Sequence, residues 1–134
     1  MEVQRARPVI DKTARQVHAP SMRLGQWTLP RGQVIMVSIY LMHYDEALFP
    51  DARRFNPDRF LDARPDTYQW IPFGGGARRC IGAAFAGMEM NVVLRTLLRD
   101  FTLEPTTEPG ERWHSRGIAY CPAKGARAVV RRRS

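Results

Sequence analysis

The hydrophobic and polar positions divide the chain into short extended runs, an irregular middle and one long apolar helix. Apolar runs separated by Pro and Gly near the N-terminus predict a small antiparallel sheet. Its strands are predicted at Thr13 to His18, Met22 to Trp27 and Gln33 to Val37. Good helix formers before Pro8 predict a short helix over residues 1–6, and Ser38 to His43 predicts one or two helical turns.

The rest of the chain is predicted to be an ordered irregular segment, a long helix and short strands. Tyr44 to Ile71 has no sustained period, but its many aromatic residues favour packing over disorder. Ile81 to Arg99 is apolar nearly all round, which predicts a helix buried inside a larger body. A polar loop is expected at Pro105 to Gly117. Short strands are expected at Phe101 to Glu104, Ile118 to Cys121 and Ala126 to Arg131.

The composition fits one soluble globular domain. The chain has 134 residues, of which 44% are hydrophobic and 25% charged, so it can bury a core. No apolar run approaches eighteen residues and the N-terminus lacks a signal-peptide pattern, so we expect a cytoplasmic chain with no membrane contact evident in this segment. Cys80 and Cys121 allow either a disulfide or two free thiols, and a reducing compartment fits better.

The net charge of +8 does not indicate a nucleic-acid-binding protein. The arginines are scattered, no recognition motif is present, and the one run, Arg131 to Arg133, is expected to be a frayed terminus. A basic face that docks an acidic protein is the better interpretation of the charge.

The candidate chemistry lies in a glycine-rich loop that leads from Phe73 to Cys80 and Gly82. Three consecutive glycines let the backbone approach a flat ligand closely. Cys80 is expected at or next to the N-cap of the long helix, where unpaired N–H groups and the helix dipole favour a thiolate.

The residues at particular positions exclude other functions of a cysteine in such a loop. A phosphatase loop needs Arg six positions after the cysteine, where this chain has Ala86. The loop does not contain the P-loop pattern Gly-x4-Gly-Lys followed by Ser or Thr. The dinucleotide-binding pattern Gly-x-Gly-x-x-Gly does not fit either, because its third glycine would fall on Arg79. A zinc site needs about four ligands, and the histidines are dispersed. The remaining interpretation is that the Cys80 thiolate binds a metal held in a flat macrocycle.

The loop resembles the signature of the cytochrome P450 family, Phe-x-x-Gly-x-Arg-x-Cys-x-Gly. The residues that match it and its continuation are Phe73, Gly76, Arg78, Cys80, Gly82, Ala86 and Glu89. Glu2 and Arg5 match the family's Glu-x-x-Arg element, and Pro57 to Phe60 matches its Pro-x-Arg-Phe element. The resemblance extends over essentially the whole chain and is greatest to bacterial members.

The resemblance implies an α+β fold, mainly α in the full-length family. It identifies residues 1–134 as the C-terminal, proximal haem side of a single domain, with the N-terminal and distal part absent. Here it implies a small antiparallel sheet region, an irregular meander, the haem-thiolate loop, a long buried helix and C-terminal strands. Nothing in the sequence matches the central helix whose acid-threonine pair activates dioxygen in the family.

The resemblance also implies roles for single residues. Cys80 would be the proximal thiolate ligand of haem b, iron protoporphyrin IX. Arg78 would bind a haem propionate, Arg15 matches a position that often binds the second, and Phe73 would shield the thiolate. The cofactor-binding set further includes Gly74, Gly76, Gly82 and Ala86.

Three further residues are implied to be structural. Glu2, Arg5 and Arg59 would form a buried cluster of one carboxylate and two arginines that locks the meander behind the haem. His43 is expected near the cofactor, and we interpret it as structural.

The resemblance implies a monooxygenase that hydroxylates a small organic substrate with dioxygen and two electrons from a ferredoxin or a flavoprotein reductase. Val9 to Thr13 and Trp113 to Ile118 would border the substrate, and three arginines would meet the donor: Arg53, Arg54 and Arg79. The isolated chain is expected to be inactive, with a large exposed apolar face on its long helix. The alternatives are a haem-binding but inactive remnant and a basic interaction domain without haem.

Overall fold

A computed structural model describes residues 1–62 and 64–133, in which the chain forms two compact units, Met1–Gly74 and Gly75–Ser134. Short helices and two-stranded antiparallel sheets confirm the predicted α+β class. Within the described residues, no helix combines the length and hydrophobicity needed to cross a bilayer.

The first unit contains two short helices and two antiparallel sheets. Its elements in chain order are α1 (Glu2–Ala6), β1 (Lys12–Gln16), β2 (Ser21–Leu24), β3 (Trp27–Pro30), β4 (Val34–Ser38) and α2 (Ile39–His43). Strand β1 pairs with β4, with Thr13 opposite Val37. The Ser38 hydroxyl accepts a hydrogen bond from the Leu41 N–H at 3.2 Å and so caps α2, which therefore begins one residue later than predicted.

The predicted single strand Met22 to Trp27 is wrong, because the chain reverses inside it. Leu24 pairs with Trp27 across a two-residue turn of Gly25 and Gln26, and Gly25 has a φ of +58°. Glycine at the first position of a two-residue hairpin turn adopts this left-handed conformation without steric cost. The first half of the chain therefore holds two separate sheets, β1–β4 and β2–β3, rather than one.

The core of the first unit draws heavily on the irregular segment. Its buried hydrophobic side chains are Ala6, Val17, Ile39, Phe49, Ala52 and Ile71. Phe49, Phe60 and Trp70 continue it as edge-to-face rings with centroids 6.2 and 6.5 Å apart, a geometry that aromatic pairs prefer. Residue 63 of the predicted irregular segment lies outside the described residues.

The second unit contains a short 3₁₀ turn, one long helix and two antiparallel sheets of two strands each. Its elements are the 3₁₀ turn (Gly76–Arg78), α3 (Ala83–Asp100), β5 (Phe101–Glu104), β6 (Trp113–Arg116), β7 (Ala119–Pro122) and β8 (Val129–Arg132). Strand β5 pairs with β8, and β6 pairs with β7. Strand β6 lies inside the predicted polar loop, and its turn again begins with a glycine of positive φ, Gly117 at +66°.

The basic C-terminal run is ordered rather than frayed. Arg131 and Arg132 belong to β8, and Arg131 forms an ion pair with Glu104 on β5. The Arg133 N–H donates to the backbone oxygen of Asp100 at 2.8 Å. Strand pairing therefore holds this segment in place, which local composition does not reveal.

The long helix carries its apolar residues at the surface of this chain. All 18 residues of α3, every one of them described, are exposed or half-buried, so the burial that was predicted inside a larger body does not arise within this chain. Phe85 is 62% exposed, Val92 59% and Leu98 56%. The expected exposed apolar face is confirmed. The helix begins two residues later and ends one residue later than predicted, because Gly82 is its N-cap and Asp100 its last residue.

Candidate functional site

Glu2 lies at the centre of a buried ion-pair cluster in the first unit. Its carboxylate accepts hydrogen bonds from Arg5 Nε at 2.7 Å and Arg5 Nη2 at 2.8 Å. The Glu2 and Arg5 residues are 4% and 0% exposed, so the pair is almost entirely removed from water. The three-residue spacing on α1 places both groups on one face, and the two parallel bonds give the strong, directional form of this contact.

Arg59 completes the cluster from the irregular segment. Its Nε lies 3.3 Å from Glu2 Oε2, and its Nη groups donate to the backbone oxygens of Pro50, Asp51 and Arg54. Because one planar guanidinium binds a carboxylate and three carbonyls, it fixes the path of the segment that surrounds it. The structure thus brings together the three charged residues that were expected to cluster.

The cluster keeps its carboxylate charged. Burial by itself would raise the pKa of Glu2, but the hydrogen bond from Arg5, the Asn56 N–H at 3.0 Å and the charges of Arg5 and Arg59 together lower the pKa below 4.5. Near neutral pH the group is therefore an anion paired with two cations.

His43 is fully buried, and both of its ring nitrogens contact the backbone. The Ile71 N–H donates to Nε2 at 3.0 Å, so the ring hydrogen lies on Nδ1, which faces the backbone oxygen of Arg5 at 3.3 Å. Burial lowers the pKa of His43 to about 4, and the ring is neutral at physiological pH. The sequence separations of 38 and 28 residues explain why no local pattern predicts these contacts.

The glycine-rich loop begins with a tight turn at the end of the first unit. The Gly74 N–H donates to the backbone oxygen of Ile71 at 2.9 Å, and Gly74 has a φ of +70°. Phe73 is half-buried inside this turn, and a Cβ at Gly74 would meet no atom within 4 Å. The left-handed backbone therefore requires glycine here, rather than any lack of space.

Cys80 follows the 3₁₀ turn of the second unit and precedes α3. Gly76 has a φ of +66°, and the Arg79 N–H donates back to its oxygen at 3.1 Å. Cys80 is exposed and free, and it lies two residues before the Gly82 N-cap rather than at or next to the cap. Cys121 is also free, so the disulfide alternative is not realised.

Small residues follow Cys80 around the start of α3. A Cβ at Gly82 would lie 3.7 Å from the Cys80 Sγ, so glycine leaves that side of the sulfur clear. Ala86 follows one turn later, with its N–H donating to the Gly82 oxygen at 2.9 Å. Among residues 1–62 and 64–133, no group of three His, Cys, Asp or Glu could hold a metal ion.

The remaining predicted site residues lie in both units. Arg15 is exposed on β1, where Nη1 donates to Thr13 Oγ1 at 2.9 Å and to the Ala14 oxygen at 2.7 Å. Arg78 is exposed at the end of the 3₁₀ turn. Arg53, Arg54 and Arg79 are exposed as well, and Val9 and Ile118 are the most exposed apolar residues of the two segments expected to border the substrate.

Comparison with known proteins gives one family. The family model described as Cytochrome P450 matches residues 1–126. A Mycobacterium tuberculosis protein named cytochrome P450 138 is 56% identical over 133 residues, which is 99% of this chain and 30% of that protein. Cytochrome P450 135B1 of the same organism is 42% identical over 97% of this chain and 27% of its own length.

Solved structures show the same similarity in three dimensions. Retinoic acid-bound cyanobacterial CYP120A1 matches with a TM-score of 0.82 and 26% identity, over 98% of this chain and 31% of that one. A zebrafish cytochrome P450 with progesterone matches with a TM-score of 0.85 and 26% identity, over 98% and 30%. The chain thus spans about 30% of the length of these proteins.

Proposed function

The chain belongs to the cytochrome P450 family, and on that premise we propose that it forms the thiolate side of a haem-thiolate monooxygenase, as the C-terminal part of one P450 domain. The observation that carries the proposal is the placement of Cys80. It is an exposed free thiol between a glycine-rich loop and α3, with a clear side next to Gly82.

The residues around the loop fit haem b, the cofactor that the family implies. Cys80 would be its axial ligand, and the exposed guanidiniums of Arg78 and Arg15 would pair with the propionates, for which their planar donors are well suited. Four small residues would leave room for the ring: Gly74, Gly76, Gly82 and Ala86. Haem with a cysteine ligand supplies dioxygen activation with two electrons from outside.

The protein's own contribution is to hold this ligand and control its surroundings. Phe73, half-buried in its turn, would shield the sulfur from water, which tunes the electron density at the metal. The Glu2, Arg5 and Arg59 cluster would support the site from a distance by fixing the irregular segment. Its members bind one another and backbone oxygens, and we therefore assign the cluster a structural role.

Substrate and electron donor follow from the family only in broad terms. We propose a small organic substrate bordered by Val9 to Thr13 and by the β6–β7 turn, where Ile118 is 84% exposed. The donor would be an acidic ferredoxin or flavoprotein, met by the exposed Arg53, Arg54 and Arg79, because opposite charges steer such transient encounters. A cytoplasmic location would suit these partners.

The second candidate function is haem binding without catalytic turnover. It is favoured by the coverage of about 30% of the relatives' length, together with the lack of any match in this sequence to the family's acid-threonine pair. Both functions require Cys80, whereas a basic interaction domain does not.

The test is reconstitution of the full chain with haem, followed by the spectrum of the reduced carbon-monoxide complex. We expect a red-shifted Soret band of the thiolate type, which Cys80→Ala should abolish and Cys121→Ala should leave unchanged. The same band in Cys80→Ala would contradict the ligand assignment. Product formation with a generic ferredoxin system would then favour the monooxygenase over the inactive binding protein.

A further inference from the structure

His43 joins two parts of the first unit that are distant in sequence. Its Nδ1 faces the Arg5 oxygen at the end of α1, and its Nε2 accepts from the N–H of Ile71, the residue that opens the turn carrying Phe73. The ring is 0% exposed, so neither contact has water as a substitute.

We propose that His43 is a positioning residue: its neutral ring fixes the Ile71–Gly74 turn against α1, and thereby sets the position of Phe73. This inference rests on the proposed function only in its consequence for the haem thiolate. The anchoring of the turn itself depends on no cofactor.

The bond from the Ile71 N–H to His43 anchors the turn to a position 28 residues away in sequence. Pro72 has no N–H, and the Gly74 N–H is used inside the turn, on the Ile71 oxygen at 2.9 Å. The Ile71 N–H is therefore the donor through which the start of the turn is bound to the rest of the unit. A buried N–H that loses its acceptor is costly, so the turn would move rather than remain unpaired.

The charges that face the ring explain why it must be neutral. The Arg5 guanidinium donates to the His43 backbone oxygen at 2.6 Å and is itself paired with Glu2, whose carboxylate also faces Arg59. From the irregular segment the ring meets the apolar edge of Phe49, with centroids 6.0 Å apart. A protonated ring would lose its acceptor at Nε2 and place a second positive charge beside Arg5.

The first test needs no haem. In the ¹⁵N-labelled full chain, ring nitrogen shifts should show hydrogen on Nδ1, and the Ile71 amide should change with the same titration midpoint as the ring. His43→Phe keeps a planar aromatic ring, slightly larger than imidazole, but neither bond, and should speed hydrogen exchange at Ile71 at least tenfold. The Val17 amide, bonded to the Gln33 oxygen at 2.9 Å, is the reference.

The first test distinguishes an anchoring residue from one that only fills the core. Hydrogen on Nε2, or acceleration at Ile71 no greater than at Val17, would overturn the anchor and identify a residue that only fills the core. Should His43→Phe fail to fold, the wild-type titration decides alone: an Ile71 amide that ignores the ring's titration would overturn the proposal.

The second test concerns the position of Phe73 and also needs no haem. If His43 sets that position, His43→Phe should shift the Phe73 amide and ring signals of the labelled chain by more than it shifts the Val17 signals. Unchanged Phe73 signals would overturn this part of the proposal. Absence of haem binding in the wild-type chain would contradict the proposed function, while the amide data would still decide the anchor.

Discussion

Arg5 and His43 bind each other reciprocally, each through its side chain to the other's backbone. Arg5 Nη1 donates to the His43 oxygen at 2.6 Å, and His43 Nδ1 faces the Arg5 oxygen at 3.3 Å. The Arg5 guanidinium also lies 5.5 and 5.6 Å from the ring centroids of Tyr44 and Phe49. This pair links α1 to the end of α2, so a change at either residue should affect both elements.

Loss of the Glu2 charge should strongly destabilise the first unit. Glu2→Gln keeps the side-chain size but leaves Arg5, which is 0% exposed, without its counter-ion. We expect a loss of about 3 to 5 kcal/mol in the free energy of unfolding, measured by urea denaturation. Asp11→Asn, which breaks the exposed pair with Lys12, is the control and should cost at most about 1 kcal/mol. Equal losses would contradict the buried-cluster interpretation.

Arg59→Lys should loosen the irregular segment although it keeps the charge. A lysine ammonium cannot reach the Glu2 carboxylate and the carbonyls of Pro50, Asp51 and Arg54 together, because its donors share one nitrogen. We expect faster amide exchange at Arg54 and Arg59. Arg53→Lys, at an exposed position, should leave both amides unchanged, and the same result for Arg59→Lys would show that the guanidinium fork is dispensable.

Stability should fall as the pH is lowered from about 6.5 towards 4. The pKa of His43 is depressed from 6.5 to about 4 in the folded chain, so over this range the unfolded chain binds a proton that the folded chain excludes. Stability present above pH 6.5 is therefore lost on acidification, by about 3 kcal/mol in all. The low pKa of Glu2 adds to the loss below about 4.5.

Urea midpoints between pH 4 and 8 measure this dependence. His43→Phe should be less stable than the wild type at pH 8 yet show a much flatter slope between pH 6.5 and 5. His18→Phe, at an exposed position, is the control and should keep the wild-type slope. An unchanged slope in His43→Phe would assign the pH dependence to other groups.

Arg78 should contribute to haem affinity. Replacing it by Ala removes a charge-assisted contact to a propionate worth roughly 1.5 to 3 kcal/mol, so the Kd for haem should rise roughly 10- to 100-fold. Arg95→Ala on α3 is the control in the same unit, and its Kd should stay near the wild-type value. Spectrophotometric haem titration measures both, and equal affinities of the two variants would remove Arg78 from the binding set.

Arg79 should affect electron transfer through charge rather than through haem. In the reconstituted protein, Arg79→Glu should slow reduction by an acidic ferredoxin at low salt, and the difference should shrink at high salt as the charges are screened. The haem spectrum should be unchanged. A reduction rate equal to that of the wild type at every salt concentration would exclude this arginine from the docking face.

Short-range patterns predicted most of the helices and strands, but they missed strands that form where the chain reverses direction in a hairpin turn. The helix of residues 1–6, strands β1 and β4 and the long helix follow from local composition, with ends displaced by one or two residues. Strands β3 and β6 were missed, although glycine followed by one residue between extended runs, at Gly25 and Gly117, is a hairpin signal. The apolar pattern of α3 does not by itself determine its burial, which depends on what surrounds the helix, and the exposed face was expected from the resemblance.

The sequence by itself determined the family and the candidate ligand, because the motif around Cys80 is local and each residue stands at a fixed spacing from the next. Only the tertiary structure decided how the first unit is held together. Glu2 meets Asn56 across 54 residues, and His43 meets Arg5 and Ile71 across 38 and 28. The meeting of Glu2 with Arg59, across 57 residues, was expected from the resemblance. Such contacts arise where buried polar groups must find partners, and chain folding rather than local spacing determines which partners are near.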